Sequence, residues 1–545
     1  MRVQKIAIVL FVALLLPFAA STVTAQASSS GVSSTWPKVP SIGFSASDDS
    51  LIETRSYVTG FSYAEGATSG IYTRTVSCES VDDVACASAD SIFAQMILPP
   101  CSATVTEMCV QSLEVSDAKG VLQKATLGYE IPGKKYPASK IRNSPVGGSP
   151  SVWSAKDAPN SSGADEYEVI VSTTFQNYQN KGCTQFVTAP CAFTRGFRAR
   201  VFPINRTSNF VDFAPGARAA VTLRIDNLLT GFLFGRMKNV TLDLTALSST
   251  ANLLRVEADP IDVPKIYAYV AKSDLSKYPK IVDYWKVRRQ QLAATDFTSN
   301  DTVDTGPAPE WAMGDFTAFE DLVKSGPLVT SIWRFGTQSG NGTGSKCFDD
   351  KSKLQGLVTT NAPTYLPNPP AFENGELAYK VAGAHYLEDG VTLFKGSYDL
   401  VLRSDFARCL YGFTNAPIQA KISVVSTDGS TQDIATESLR EDAAREWLYL
   451  SAKNFTFSSP TIRVKLSQAI AVEAKPTSGA ATSQGTTPSA VAKEATPSTV
   501  AKEATPSTVA KKSTAKQITV TCVKGKTIKK VTGTSPSCPV GYKKK

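Results

Sequence analysis

Residues 197–201 read Phe-Arg-Ala-Arg-Val and residues 221–225 read Val-Thr-Leu-Arg-Ile. Both alternate apolar and polar side chains with a period of two, the pattern of a strand with one face in a core and the other toward water. Val240-Thr241-Leu242-Asp243-Leu244 and Ile266-Tyr267-Ala268-Tyr269-Val270 continue it, and Tyr167-Glu168-Val169-Ile170-Val171 follows it approximately. Gly, Pro and Asn bound these runs, as they bound antiparallel strands. Residues 26–275 are therefore expected to form a β-rich N-terminal domain of two packed sheets.

Further along, the texture changes. In residues 277–294 (KYPKIVDYWKVRRQQLAA), Ile281, Tyr284, Trp285 and Val287 recur at near-helical spacing. Phe316, Phe319, Leu322 and Val323 do the same in 315–326, where Gly326 supplies a stop. The segment between them, TSNDTVDTGPAPE (298–310), reads as a polar loop. Residues 276–345 are thus expected to be a helical connector or insertion. Strand patterns return in Tyr398–Leu402, Ala420–Val425 and Thr461–Leu466, separated by turn signals at Asp389-Gly390 and Asp428-Gly429. Residues 346–468 should make a second β-sandwich-like domain. The expected class is mainly β: two β-sandwich-like domains with a small helical connector.

Both ends of the chain differ from this body. Arg2 and Lys5 precede the apolar run Ile6–Ala20, and Val23-Thr24-Ala25 fits a small-residue cleavage site before Gln26. Residues 1–25 are read as a secretory signal peptide, too short to span a bilayer and ended by a processing site. No later stretch reaches the ~18 uninterrupted apolar residues of a spanning helix, so no transmembrane segment is expected in the mature chain. After Gln468, TPSAVAKEA, TPSTVAKEA and TPSTVAKKS repeat across residues 487–513. A proline in every repeat, with so little apolar volume, cannot build a core, and 469–516 reads as a disordered spacer.

Residues 517–545 form a basic tail. Residues 511–545 hold ten lysines, seven of them in the tail, and no Asp or Glu, so this stretch's charge of +10 exceeds the net +9 of the whole chain, and the rest sums to −1. The strand-like ITVTCV, a turn at Gly525 and TIKKVTG suggest a hairpin closed by Cys522 and Cys538, since so short a module needs a staple. Lys524, Lys526, Lys529, Lys530, Lys543, Lys544 and Lys545 are the candidate envelope-binding residues. An anionic envelope polymer or glycan is the expected partner. Nucleic acid is not: only Tyr542 could stack on a base, and export argues against it. No LPxTG-like sorting signal follows the spacer.

Ten cysteines accompany export. Cys78/Cys86, Cys101/Cys109 and Cys183/Cys191 are each separated by seven residues, Cys347 and Cys409 share a later region, and Cys522 and Cys538 lie in the tail. An even count in an exported chain reads as disulfides, although Cys78, Cys86, Cys101 and Cys109 alone permit three pairings. Zinc-type Cys-x(2–4)-Cys spacing is absent.

Motifs for catalysis are sparse. His385 is the single histidine, neither Gly-x-Ser-x-Gly nor His-Glu-x-x-His occurs, and the run Gly336–Gly344 lacks the Gly-Lys-Ser/Thr of a phosphate loop. No cofactor, metal or catalytic residue is assigned. Asp315, Glu320 and Asp321 beside Trp311 and Phe316 offer the carboxylates and aromatics of a secreted glycoside hydrolase. A solvated helix face explains them more simply.

The tail pattern ITVTCVKGK…KKVTG…CPVGYKKK resembles the C-terminal module of exported surface proteins of freshwater actinobacteria. Residues 385–413 (HYLEDGVTLFKGSYDLVLRSDFARCLYGF) and 455–468 (FTFSSPTIRVKLSQ) are similar to a β-rich domain that recurs in that group. The segment 98–115 (LPPCSATVTEMCVQSLEV) resembles their cysteine-paired N-terminal part. The resemblance implies a secreted or cell-surface address and a bacterial setting, in which the six Asn-x-Ser/Thr triplets carry no glycan. The expected function is an exported non-enzymatic surface protein, a binding or adhesive ectodomain held at the envelope by its basic tail. The alternatives are the hydrolase and a self-assembling envelope component.

Overall fold

The computed structural model describes residues 37–468, except for 49–53, 64–71, 141–142, 179–193, 227–230, 292–300, 306–309, 338–346, 348–353, 367–368, 415–417, 426–430, 433–435, 443–445 and 458–460, together with the strands between 518 and 544. The signal peptide, the repeat spacer, Cys183 and Cys191 lie outside the described residues. The chain divides into two compact units, Met1–Ala471 and Val472–Lys545.

The first unit is mainly β, and the alternating runs in the sequence lie in strands: Glu166–Tyr178, Thr194–Ile204, Ala219–Asp226, Lys238–Ala246, Ile261–Ala271, Lys395–Arg403, Ile418–Val425 and Thr461–Gln468. A thirteen-stranded sheet is its centre. From one edge it runs Thr436–Asp442, Trp447–Thr456, Lys395–Arg403, Leu354–Thr360, Gly231–Arg236, Arg334–Thr337, Thr194–Ile204, Glu166–Tyr178, Ser91–Ile97, Tyr57–Tyr63 and Tyr72–Ser77. Ser151–Ser154 and Thr126–Glu130 branch from Glu166–Tyr178. Gly231–Arg236 and Leu354–Thr360 pair in parallel, so strands from the two expected domains share one sheet.

The sharing follows from side chains that are apolar on both faces of the strand. In Leu354–Thr360, Leu357 enters one core and Val358 the other; in Lys395–Arg403, Val401 enters the first and Leu400 and Leu402 the second. Trp447 and Tyr449 likewise alternate with Leu448 and Leu450. Strands buried on both faces read as near-continuous apolar runs, as in Leu400-Val401-Leu402. The first core is closed by a five-stranded sheet, Lys238–Ala246, Ala251–Asp259, Ala219–Asp226, Cys109–Ser116 and Leu122–Lys124. The second is closed by a six-stranded sheet around Glu376–Ala382, Thr461–Gln468 and Ile418–Val425, with the helix Ser404–Tyr411. That helix ends at Gly412, whose left-handed φ of 65° is available to glycine without strain. The two sandwich-like packings are therefore two cores on opposite faces of a shared sheet.

The polar half of the alternation is used on the outer face of the five-stranded sheet. Arg255 Nη2 lies 2.8 Å from Glu114 Oε2 and its Nη1 2.6 Å from Glu257 Oε2. Arg218 meets Glu257 and Asp259 at 2.5 and 2.6 Å.

The expected helical connector is built differently from its sequence reading. Pro279–Gln291 is a helix, as the spacing predicts, but the second helix covers Glu310–Ala318 and passes through a 3-10 turn, Glu320–Leu322, into the strand Lys324–Ile332. Gly326 therefore sits inside a strand rather than stopping a helix. The segment read as a polar loop contains the strand Asp301–Asp304, paired in parallel with Ser41–Ala46. These two strands, Ile261–Ala271 and Lys324–Ile332 form a four-stranded sheet, on which Ile281, Trp285, Phe316 and Phe319 of the helical segment pack. Local pattern missed the strand because its partner is more than 250 residues away in sequence.

A buried ionic knot ties the start of the chain to the central sheet. The Asp48 and Arg236 side chains are both fully buried, with Arg236 Nε 2.7 Å from Asp48 Oδ2. Arg334 also contacts the Asp48 carboxylate. Arg236 donates to the carbonyls of Thr360 (3.0 Å), Ala362 (2.5 Å) and Pro363 (3.3 Å). Its guanidinium lies 4.7 Å from the Tyr365 ring centre. Burial lowers its pKa to about 10, which still leaves it charged at neutral pH.

Three disulfides are closed among the described cysteines: Cys78–Cys86, Cys101–Cys109 and Cys347–Cys409. The first two staple short loops, and the third joins the segment before Leu354–Thr360 to the helix Ser404–Tyr411.

Candidate functional site

The second unit contains the tail sheet: Thr527–Gly533, Ile518–Lys524 and Lys543–Lys544 in that order, all antiparallel. The hairpin expected from ITVTCV and TIKKVTG is present, and Lys543–Lys544 adds a third strand that a lysine run does not announce. Lys526, Cys538 and Lys545 lie outside the described residues, so the Cys522–Cys538 bond expected from the sequence does too.

Register fixes how the lysines are distributed. Cys522 faces Lys529 on one neighbouring strand and Lys544 on the other. Thr521 faces Lys530, Val523 faces Lys543, and Lys524 faces Thr527. Directly opposite residues share a face of an antiparallel sheet, as do residues two apart on one strand. Lys524, Lys529 and Lys544 therefore share the face of Cys522, while Lys530 and Lys543 share the other. Adjacent strands are about 4.8 Å apart, which places Lys529 and Lys544 roughly 10 Å from each other at Cα.

In the first unit the carboxylates near the connector differ in environment. Asp315 has a fully buried side chain, accepting from Tyr284 Oη at 2.7 Å and from Arg288 Nε at 3.1 Å and Nη2 at 3.4 Å. It clamps one helix to the other, and burial raises its pKa against the pull of those two donors. Phe316 is in the core and Arg288 covers the Trp311 ring at 4.9 Å. Glu320 is half-buried and Asp321 exposed on the 3-10 turn. Asp315 is thus a buried helix clamp rather than part of a solvated helix face, and Phe316 is a core residue. His385 Nδ1 lies 3.0 Å from the Phe457 carbonyl oxygen and anchors the hairpin that turns at Asp389-Gly390. Gly336 belongs to the strand Arg334–Thr337, and the rest of its glycine-rich run is outside the described residues. Asn160, one of the six triplet asparagines, is buried, with its amide donating to Ile204 O at 2.8 Å.

Glu168 is the polar residue of the approximately alternating run Tyr167–Val171. It faces away from the first core, as the period requires, yet it is only 6 % exposed. Burial alone raises its carboxyl pKa to about 7. An unfolded glutamate releases its proton near 4.5, so the folded protein holds one more proton between about pH 4.5 and 7 and loses stability as pH rises through that window. Arg200 lies diagonally across on Thr194–Ile204 and Glu166 two residues away on the same strand. Glu168→Gln is expected to raise stability above pH 7 by up to about 3 kcal/mol and to change little at pH 4. Thermal unfolding of both proteins across that range checks it, and parallel pH profiles would contradict the assignment.

Among the described residues, no helix is long and apolar enough to cross a membrane. No cluster of three or more His, Cys, Asp or Glu among them is placed to hold a metal. Comparison with protein-family models, with curated proteins and with solved structures gave no match.

Proposed function

We propose that the chain is an exported surface protein whose basic tail sheet holds it on an anionic polymer of the cell envelope, while the stapled β unit presents a binding or adhesive surface. The observation that carries this reading is the register of the tail, which sets Lys529 and Lys544 on either side of Cys522 within a segment that has no acidic residue. Three closed disulfides in the first unit support an oxidising destination. With the Asp315 carboxylate fully buried in its clamp and Phe316 in the core, neither faces a glycan, which favours binding over hydrolysis.

Fractionating cells that express the full protein or a deletion of residues 517–545 tests the tail. The full protein is expected in the envelope fraction and the deletion in the medium. Equal release of both contradicts the proposal. Within the tail, Lys524→Gln/Lys529→Gln/Lys544→Gln is expected to weaken retention more than Lys530→Gln/Lys543→Gln, because three charges leave one face. Each lysine lost should flatten the dependence of log affinity on log salt by about 0.7–0.9 if the polymer is a dense polyanion.

A further inference from the structure

On Glu166–Tyr178, Tyr167, Val169 and Val171 enter the first core, which leaves Glu166 and Glu168 together on the opposite face. Two residues along a strand are about 7 Å apart at Cα. Register sets Phe202 opposite Glu168 and Ile204 opposite Glu166, and a bridge brings Phe210 beside Ile204. The Phe202 and Phe210 rings stack at 4.5 Å with 27° between their planes, and Phe210 is 46 % exposed. Across the strand on its other side, Val152 faces Glu168 and Ser154 faces Glu166. The Ser154 hydroxyl is committed to Asp165 Oδ2 at 2.7 Å.

Among the described residues, neither glutamate side chain has a hydrogen-bond or ion-pair partner. A carboxylate held at 6 % exposure without a donor is costly, and a cation supplied from outside removes that cost. An aromatic pair with an open ring face favours a ligand that carries apolar C–H surface, and aromatic rings attract cations as well. We infer that this face binds an amino sugar through its protonated amine, which sits against the Glu166 and Glu168 carboxylates while the sugar ring lies on Phe210. The site prefers charge opposite to that sought by the tail, so it stands independently of the tail reading.

Calorimetry of the mature full chain tests this with an oligomer of β-linked glucosamine and the same oligomer fully N-acetylated, at mildly acidic pH. The amine oligomer is expected to bind at least about tenfold more tightly than its acetylated form, since acetylation removes a charge-assisted hydrogen bond. Binding should release a proton from Glu168, read as a dependence of the heat on buffer ionisation enthalpy. Glu168→Gln should lose the proton release and about tenfold in affinity although the variant is the more stable protein, which separates lost binding from lost fold. Phe210→Ala should cost about fivefold. Equal binding of both oligomers, binding of neither, or binding abolished by deleting residues 517–545 would each overturn the inference.

Discussion

Replacing Arg236 with Met is expected to destabilise the first unit by about 3–5 kcal/mol, the range for breaking one partner out of a buried ion pair. The physical reason is what the substitution leaves behind. Asp48 keeps Arg334, whose side chain is 17 % exposed, but loses the fully buried guanidinium at 2.7 Å. The Thr360, Ala362 and Pro363 carbonyls lose a common donor in the same step. Met fills much of the apolar volume against Phe234 and Tyr365, so the loss reports on charge and hydrogen bonding more than on a cavity. Asp48→Leu should be similarly damaging, because it strands Arg236. The double variant should fall well short of the sum, since neither charge is then left without its partner. Denaturant midpoints for the four proteins give the coupling directly, and strictly additive losses would show that the knot stores no pairwise energy.

The second large effect belongs to Cys347–Cys409. The bond closes a loop with a sequence separation of 62, against 8 for Cys78–Cys86 and for Cys101–Cys109. Loop-closure entropy alone assigns the long loop about 4 kcal/mol and each short one about 2.5 kcal/mol. Cys347→Ser/Cys409→Ser is therefore expected to lower stability more than either short-loop double variant. Its location adds to the argument: Cys409 sits on the helix Ser404–Tyr411, whose Phe406, Ala407 and Leu410 help close the second core. Urea unfolding of the three double-serine variants ranks the bonds. A smaller loss at Cys347/Cys409 than at the short loops would contradict the ordering.

The strands were legible where one face is wet and the other dry. Val221–Ile225 and Val240–Leu244 sit in the five-stranded sheet, with Leu223 and Leu242 in the core and the half-buried Arg224 and Asp243 on the other face. The same rule misjudged Glu168, because a polar residue marks the face away from the main core without guaranteeing that water reaches it. Ser41–Ala46, fully buried, carries the unassuming sequence SIGFSA, and its pairing with Ile261–Ala271 and Asp301–Asp304 is set by tertiary contact alone. Nor could composition reveal that Asp48, just beyond that strand, would lie against Arg236 and Arg334. The sharing of one sheet by both halves was hidden for a related reason. An apolar run such as Leu400-Val401-Leu402 says that both faces are buried, but not which sheets cover them.

The tail was legible in charge and hairpin, and illegible in its third strand. Seven lysines and no acid announce an appetite for anions; only the register shows that three of the described ones share the face of Cys522. Retention through that sheet is the central claim about this protein, and cosedimentation with isolated envelopes over a salt series tests it most directly. The full chain is expected to pellet at low salt and to be released steeply as salt rises, with a slope that flattens when Lys524, Lys529 and Lys544 are changed to Gln. Pelleting that ignores both salt and these three lysines would contradict it.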